Sequence, residues 1–255
     1  MQHNMVAKWV FVVLICLNIN ACVSNQGSKD RMSSDEKAEL YLQMGVRYLE
    51  LNKLKIAKEK LEASEQLDSN NAETHNTLGV LYERLQQFQK AREHFQYAEK
   101  LDSDNANIKN NYGRFLCDRG EYDAGTQLLK QALAMPLNNR KWFAYTNLGR
   151  CELKQGHQDQ AESNLRQALQ ENKNYSPALF EMQKISYRLA NYMSARAFLQ
   201  RYLAGSNHNS ETLWYAVQTE RALGNKELAD EYRENLFNLF PTSKEARQLK
   251  KAVNH

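Results

Sequence analysis

The sequence predicts an all-α fold, a right-handed superhelical solenoid of six helix–turn–helix pairs. Three observations carry that expectation. Gly45, Gly79 and Gly113 recur at a step of 34 residues, and Gly149 follows after 36. Ala57, Ala91, Gly125, Ala161, Ala195 and Ala229 keep the same phase, with the same two-residue slip before Ala161. Gly120, Gly156 and Gly224, with Asn52 in the equivalent place, mark the turn inside a unit. Glycine and asparagine tolerate the positive φ that ends a helix sharply, so they belong at such turns.

A 34-residue period with a small residue eight in and an alanine twenty in is the pattern of the tetratricopeptide repeat. In that register the units run Ala38 to Asn71, Ala72 to Asn105, Ala106 to Asn139, Trp142 to Tyr175, Ser176 to Asn209 and Ser210 to Ser243. The first unit pairs Gly45 with Ala57. The second is the fullest, with Leu78, Gly79 and Tyr82 on its first helix and Ala91, Phe95 and Ala98 on its second. A glycine inside a helix costs roughly 1 kcal/mol against alanine, so its recurrence in phase argues for close packing of two helices. The third unit departs at Gly125, where an alanine is expected, and a two-residue insertion follows it near Asn139 to Lys141. The fourth resumes the pattern with Gly149 and Ala161. The fifth and sixth lose it on the first helix, where Gln183 and Val217 replace the glycine and Ser186 and Glu220 replace the aromatic. Ala195, Ala229 and the closing Pro241 keep both units in register. The charged, amphipathic tail is expected to cap the last unit, because a solenoid end otherwise exposes its apolar face.

The chain begins differently. Lys8 precedes about nine mostly apolar residues, Trp9 to Leu17, a run too short to span a bilayer but suited to a signal peptide. Ile19-Asn20-Ala21-Cys22 resembles a bacterial lipobox, in which the cysteine sulfur is lipidated and the peptide is cut before it. Cys16 is the poorer candidate, since bulky Ile15 precedes it. The alternative is an ordinary cleaved signal with Cys22 incidental. Val23 follows the cysteine, without the aspartate that resembles an inner-membrane retention signal, so outer-membrane anchoring on the periplasmic face is expected. Multiple acyl chains hold a protein on a bilayer stably. The expected division is a signal peptide over 1–21, a lipidated cysteine and flexible tether over 22–37, six repeats over 38–243 and a capping helix over 244–255.

Little else points to chemistry. The formal charge of +4 is mild, with 34 basic against 30 acidic residues, and gives no reason to expect nucleic acid. None of His3, His75, His94, His157, His208 and His255 sits at metal-ligand spacing with another histidine or a cysteine. No glycine-rich phosphate loop or nucleophile elbow is visible. We therefore expect no enzyme, cofactor or metal. Cys117 and Cys151 lie on the first helices of neighbouring units, and export would place them where disulfides persist. We expect them to be bridged; two buried free thiols behaving as small hydrophobes are the alternative.

The first helices of such a solenoid line its concave face. In the first two units the inward positions hold Leu42, Val46, Leu49 and Val80, an apolar strip edged by Glu50, Asn76 and Glu83. In the later units they hold Arg114, Arg150, Lys154, Lys184, Arg188 and Arg221, interleaved with Phe143, Phe180, Tyr187 and Trp214. Any bare solenoid shows some apolar and charged surface, but arginine and aromatics are the usual anchors of interfaces. The expectation is a protein-binding groove, greasy at one end and basic at the other.

The third unit carries a resemblance. Asn110-Asn111-Tyr112-Gly113-Arg114-Phe115-Leu116-Cys117-Asp118-Arg119-Gly120-Glu121-Tyr122 resembles the signature segment of the type IV pilus biogenesis lipoproteins that act as secretin pilotins. Gly149-Arg150-Cys151 with Gly156, and Leu199-Gln200-Arg201-Tyr202, are similar to the same family. Gly125 and Ala134-Met135-Pro136-Leu137 depart from its pattern. The resemblance implies a non-catalytic, monomeric lipoprotein that binds the pilus secretin and promotes its outer-membrane targeting and multimerisation, as pilus biogenesis and twitching motility require. A structural lipoprotein scaffold in an outer-membrane assembly or cell-wall machine is the alternative.

Overall fold

The computed structural model describes residues 32–253, which form thirteen α-helices. The pairs are α1 (Ser34–Glu50) with α2 (Leu54–Leu67), α3 (Ala72–Arg84) with α4 (Phe88–Leu101), and α5 (Ala106–Asp118) with α6 (Tyr122–Ala134). Then come α7 (Lys141–Gln155) with α8 (Gln158–Glu171), α9 (Ser176–Arg188) with α10 (Tyr192–Leu203), and α11 (Ser210–Ala222) with α12 (Lys226–Leu239). The last helix, α13 (Lys244–Val253), lays Ala246 and Leu249 against Leu213, Val217 and Leu236 of the sixth pair. Each helix packs on the next in sequence. Consecutive first helices also touch one another, whereas among the described residues consecutive second helices do not. That difference puts the first helices on the inner side of the stack.

The expected tether is shorter than 22–37. α1 starts at Ser34, one turn ahead of the repeat frame, because Ser33 and Glu36 form a capping box. Ser33 Oγ accepts from the Glu36 amide at 3.1 Å, and the Glu36 carboxylate accepts from the Ser33 amide at 2.7 Å. The signal segment, Cys22 and most of the tether lie outside the described residues. Asn71, Asn105 and Asn209 cap α3, α5 and α11 in the same way, each accepting a backbone amide at the helix start. The insertion removes this device from α7, whose N-cap Arg140 makes no side-chain bond. It leaves Leu137 on the preceding loop 95% exposed.

All six turns between paired helices share one construction. Asn52, Gln86, Gly120, Gly156, Ala190 and Gly224 have positive φ, between 55° and 83°. In each turn the following amide donates to the carbonyl five residues back, at 2.8–2.9 Å. This is the Schellman arrangement, which satisfies carbonyls the helix end would otherwise leave unpaired. Gln86 and Ala190 hold the left-handed conformation without the freedom of glycine.

Close approach explains the small residues in phase. A β-carbon on Gly79 would stand 2.7 Å from the Phe95 ring, and one on Gly45 would stand 2.5 Å from the Leu61 side chain. In the third pair the close neighbours include backbone. A β-carbon on Gly125 would meet Cys117 Sγ at 2.6 Å and the Gly113 carbonyl oxygen at 2.7 Å. Gly125 therefore stands where alanine is usual because Cys117 occupies the alanine methyl's space. Cys117 on α5 and Cys151 on α7 form a disulfide in this structure, with their Cα atoms 5.5 Å apart. Both are buried beside Leu129 and Leu148.

Candidate functional site

The concave face gathers most of the inward positions, but in two different ways. At the first pair a cleft of about 340 Å³ is lined by Glu39, Leu42, Gln43, Val46, Arg47, Glu50 and Glu73. Val46 and Val80 are half-buried against the apolar core. Leu42 is buried but still lines the cleft, while Leu49, only 7% exposed, belongs to the core. The apolar strip is thus narrower than the sequence positions imply, because Leu49 is buried in the core and does not line the cleft.

Asn76 is buried and does not stand free in the groove. Its Oδ1 accepts from Asn111 at 3.1 Å, and one helix further on Asn110 accepts from Asn147 at 2.9 Å. These amides stitch α3 to α5 and α5 to α7. Asn76, Asn110 and Asn111 also line a polar pocket of about 200 Å³ with Glu73, Asn107, Arg140 and Phe143.

The later half is not the basic surface expected. Arg114 bonds Glu83 at 2.5 and 2.8 Å and Asp118 at 3.1 Å, and Asp118 in turn meets Lys154 at 2.5 Å. Burial alone would lower the Arg114 pKa, but its bonds to Glu83 and Asp118 outweigh that and raise it. Arg150 meets Glu181 at 3.0 Å, and Lys184 meets Glu181 at 2.9 Å and Glu211 at 3.5 Å. A ladder of alternating charges therefore runs from α3 to α11. Four of the six cations read from the sequence, Arg114, Arg150, Lys154 and Lys184, are matched by a carboxylate on the same or a neighbouring first helix. Arg188 and Arg221 remain exposed, with Arg188 3.5 Å from the Tyr215 hydroxyl.

The aromatics sit between these rungs. Arg140 lies over the Phe143 ring at 4.5 Å, and Phe143 packs against Tyr175 at 5.1 Å. Lys184 stands 4.7 Å above the Phe180 ring. Tyr187, Trp214 and Tyr215 form an edge-on cluster on the last two first helices, with Trp214 and Tyr215 4.8 Å apart. Burial and the neighbouring Tyr192 and Tyr215 raise the Tyr187 pKa, so its hydroxyl stays protonated at neutral pH.

One cluster was missed by sequence spacing. Glu65 on α2, His75 on α3 and His94 on α4 bring their ligand atoms within 4.8 Å of one another. The expectation from spacing along the chain concerned histidines with one another or with cysteine, whereas this cluster is assembled in space and includes a glutamate. The residues are 10 and 19 apart in sequence, so only the packing of three helices unites them. Burial, and then the neighbouring His75 ring, push His94 down to about 4, leaving its ring neutral at pH 7. Tyr82 stacks on His94 at 5.2 Å and donates to Glu62 at 3.0 Å, which with burial pushes its own pKa up to about 12.

Among the described residues no helix is long and apolar enough to cross a membrane. Tetratricopeptide-repeat models match residues 72–105 and 144–175, the second and fourth units. The type IV pilus assembly protein PilF of Pseudomonas aeruginosa is 26% identical over 248 residues, covering 96% of this chain and 98% of PilF. The solved structure of that PilF aligns with 86% of this chain and 99% of its own at a TM-score of 0.72 and 26% identity. The crystal structure of PilW, a widely conserved type IV pilus biogenesis factor, aligns at a TM-score of 0.72 and 27% identity, covering 83% of this chain and 97% of PilW. This chain is a tetratricopeptide-repeat protein homologous over nearly its full length to the type IV pilus assembly proteins PilF and PilW.

Proposed function

We propose that this chain is a lipid-anchored factor of type IV pilus assembly that binds the pilus secretin and promotes its multimerisation in the outer membrane. The observation that carries the reading is similarity in both sequence and fold, over nearly the whole length, to two proteins of pilus assembly. Lipidation at Cys22 would hold the first pair of helices nearest the membrane. A secretin segment bound in the cleft around Val46 would then travel with the anchor and reach the bilayer it must enter. The ion-pair ladder compensates Arg114, Arg150, Lys154 and Lys184 on the later half, which favours the first cleft as the primary contact.

The test compares Val46→Glu with Arg188→Glu, both shown folded by circular dichroism, for capture of the secretin from detergent-solubilised membranes. Burying an apolar side chain is worth about 1.5–3 kcal/mol, so Val46→Glu is expected to weaken capture by about tenfold or more. Arg188→Glu should chiefly alter the salt dependence of capture. The opposite pattern would move the site to the other end. In cells, Cys22→Ala should lose acyl labelling and leave fewer secretin multimers in the outer membrane. Normal multimers there would separate assembly from the anchor.

A further inference from the structure

Glu65, His75 and His94 lie on three different helices and converge at the seam between the first and second pairs. The two Nδ1 atoms are 3.0 Å apart, and Glu65 Oε1 stands 3.7 Å from that of His75 and 4.0 Å from that of His94. His75 Nε2 lies 3.0 Å from the Ser69 carbonyl oxygen. A carbonyl only accepts, so His75 carries its proton on Nε2 and presents a bare lone pair at Nδ1. His94 Nδ1–H is then the donor of the bond between the rings.

That hydrogen bond accounts for the two rings but not for the carboxylate. Glu65 is too far from either ring to hydrogen-bond it, yet it faces both nitrogens. Two imidazole nitrogens and one carboxylate oxygen are a ligand set for a borderline divalent cation. Bonds of about 2.0–2.1 Å to such an ion imply ligand atoms roughly 3.3 Å apart at tetrahedral angles. The spacing of the rings must open by a few tenths of an ångström, and the carboxylate must close by about half an ångström. Glu65 can move, since its side chain is 33% exposed. Rotation of His94 aims its Nδ1 off the line between the rings, and its proton passes to Nε2 of the same ring. The bond from His75 to the Ser69 carbonyl is the support that ligating histidines generally have, fixing both tautomer and ring direction.

We propose that Glu65, His75 and His94 form a binding site for a zinc-class divalent cation, with a water completing the fourth position. The ion would tie α2 of the first unit to both helices of the second. The proposal does not depend on the identity of the partner bound there.

The experiment titrates the full-length chain, free of any histidine tag and stripped with chelator, with zinc chloride in a calorimeter. A single one-to-one site is expected, accompanied by a rise in Tm, because an ion that binds only the folded state stabilises it. His94→Gln and Glu65→Gln are each expected to weaken the site by roughly tenfold or more. Together they should abolish the zinc-dependent rise in Tm. His75 is left intact because it is buried. The visible spectrum of the cobalt(II)-loaded wild type supplies a reading independent of the variants, with intense bands expected for tetrahedral nitrogen and oxygen ligation. Absence of saturable one-to-one binding would overturn the proposal. So would zinc affinity unchanged in the double variant, or a cobalt spectrum matching the hydrated ion.

Discussion

In the second helix pair Gly79 lets the Phe95 ring lie where a β-carbon would stand, and Tyr82 fills the space beside it. In the sixth pair Val217 occupies the glycine's place, and Glu220, only 1% exposed, takes the place of the tyrosine. Arg196 forks onto that carboxylate through both Nε and Nη2. The fifth pair is intermediate: Gln183 is fully buried, with its Nε2 3.5 Å from the Thr212 carbonyl and its Oε1 unpaired. The same division runs along the groove, apolar at the first pair and laced with ion pairs from the second to the sixth. One repeat geometry is therefore held by interlocking shape at one end and by buried charge at the other. Shape tolerates a change of pH or salt, whereas a buried charge depends on a single partner.

The largest effect follows from that dependence. Arg196→Ala leaves the Glu220 carboxylate buried without its partner, which is expected to destabilise the last pairs by about 3–5 kcal/mol. Replacing both residues with leucine should restore most of it, since well-packed apolar pairs often match a buried ion pair. Urea denaturation followed by hydrogen exchange locates the loss. If Arg196→Ala is as stable as the parent, the rear half is not held by charge.

Where the two halves meet, the Cys117–Cys151 bridge joins cysteines 34 positions apart in sequence. Chain-entropy arguments give such a closure about 3–4 kcal/mol. Mass spectrometry after alkylation without reductant should find both thiols blocked, and reduction should lower the urea midpoint. Two alkylated cysteines at these positions would show that the halves join without a covalent link.

Gly125→Ala tests shape alone. Its new methyl would press on Cys117 Sγ and the Gly113 carbonyl, at an expected cost of about 1–3 kcal/mol. Gly205→Ala, with nothing within 4 Å of the added carbon, is the control and should be close to neutral. Equal losses at both sites would mean that close approach is not what the glycine provides. The smallest effect is in the turns. Ala190→Gly and Gln86→Gly should each stabilise by roughly 0.5–1 kcal/mol, by relieving a left-handed conformation that costs side chains more than glycine. Thermal denaturation of each variant measures it, and the gain should be of similar size in both halves.

How much of this was legible follows from what each feature depends on. The repeat frame was readable because Gly45, Gly79, Gly113 and Gly149 answer to local packing that recurs at fixed spacing. The Ser33–Glu36 box was also present in the sequence as a four-residue signal, and it marks the true start of α1. Gln86 and Ala190 gave no sign of their left-handed backbone, since neither type prefers it. The turn geometry is imposed on them by the helices on either side. The groove looked basic because its cations were read at set positions, while Glu83, Asp118, Glu181 and Glu211 neutralise four of them from the same or neighbouring first helices. Glu65, His75 and His94 share no short spacing at all. Gly125 reads as a flaw in the pattern until the Cys117 sulfur is seen beside it.

The bridge between α5 and α7 has a mechanical meaning as well. In a stack where each helix pair touches only its neighbours, tension applied at the two ends peels pairs away one after another from the outside. Fully extended, the 34 residue steps from Cys117 to Cys151 would add about 115 Å of contour length. While the bridge is intact that length is withheld, and neither arm can unravel through the middle of the other. The protein then behaves as two short springs joined at a fixed knot, and the reach between its two ends stays bounded.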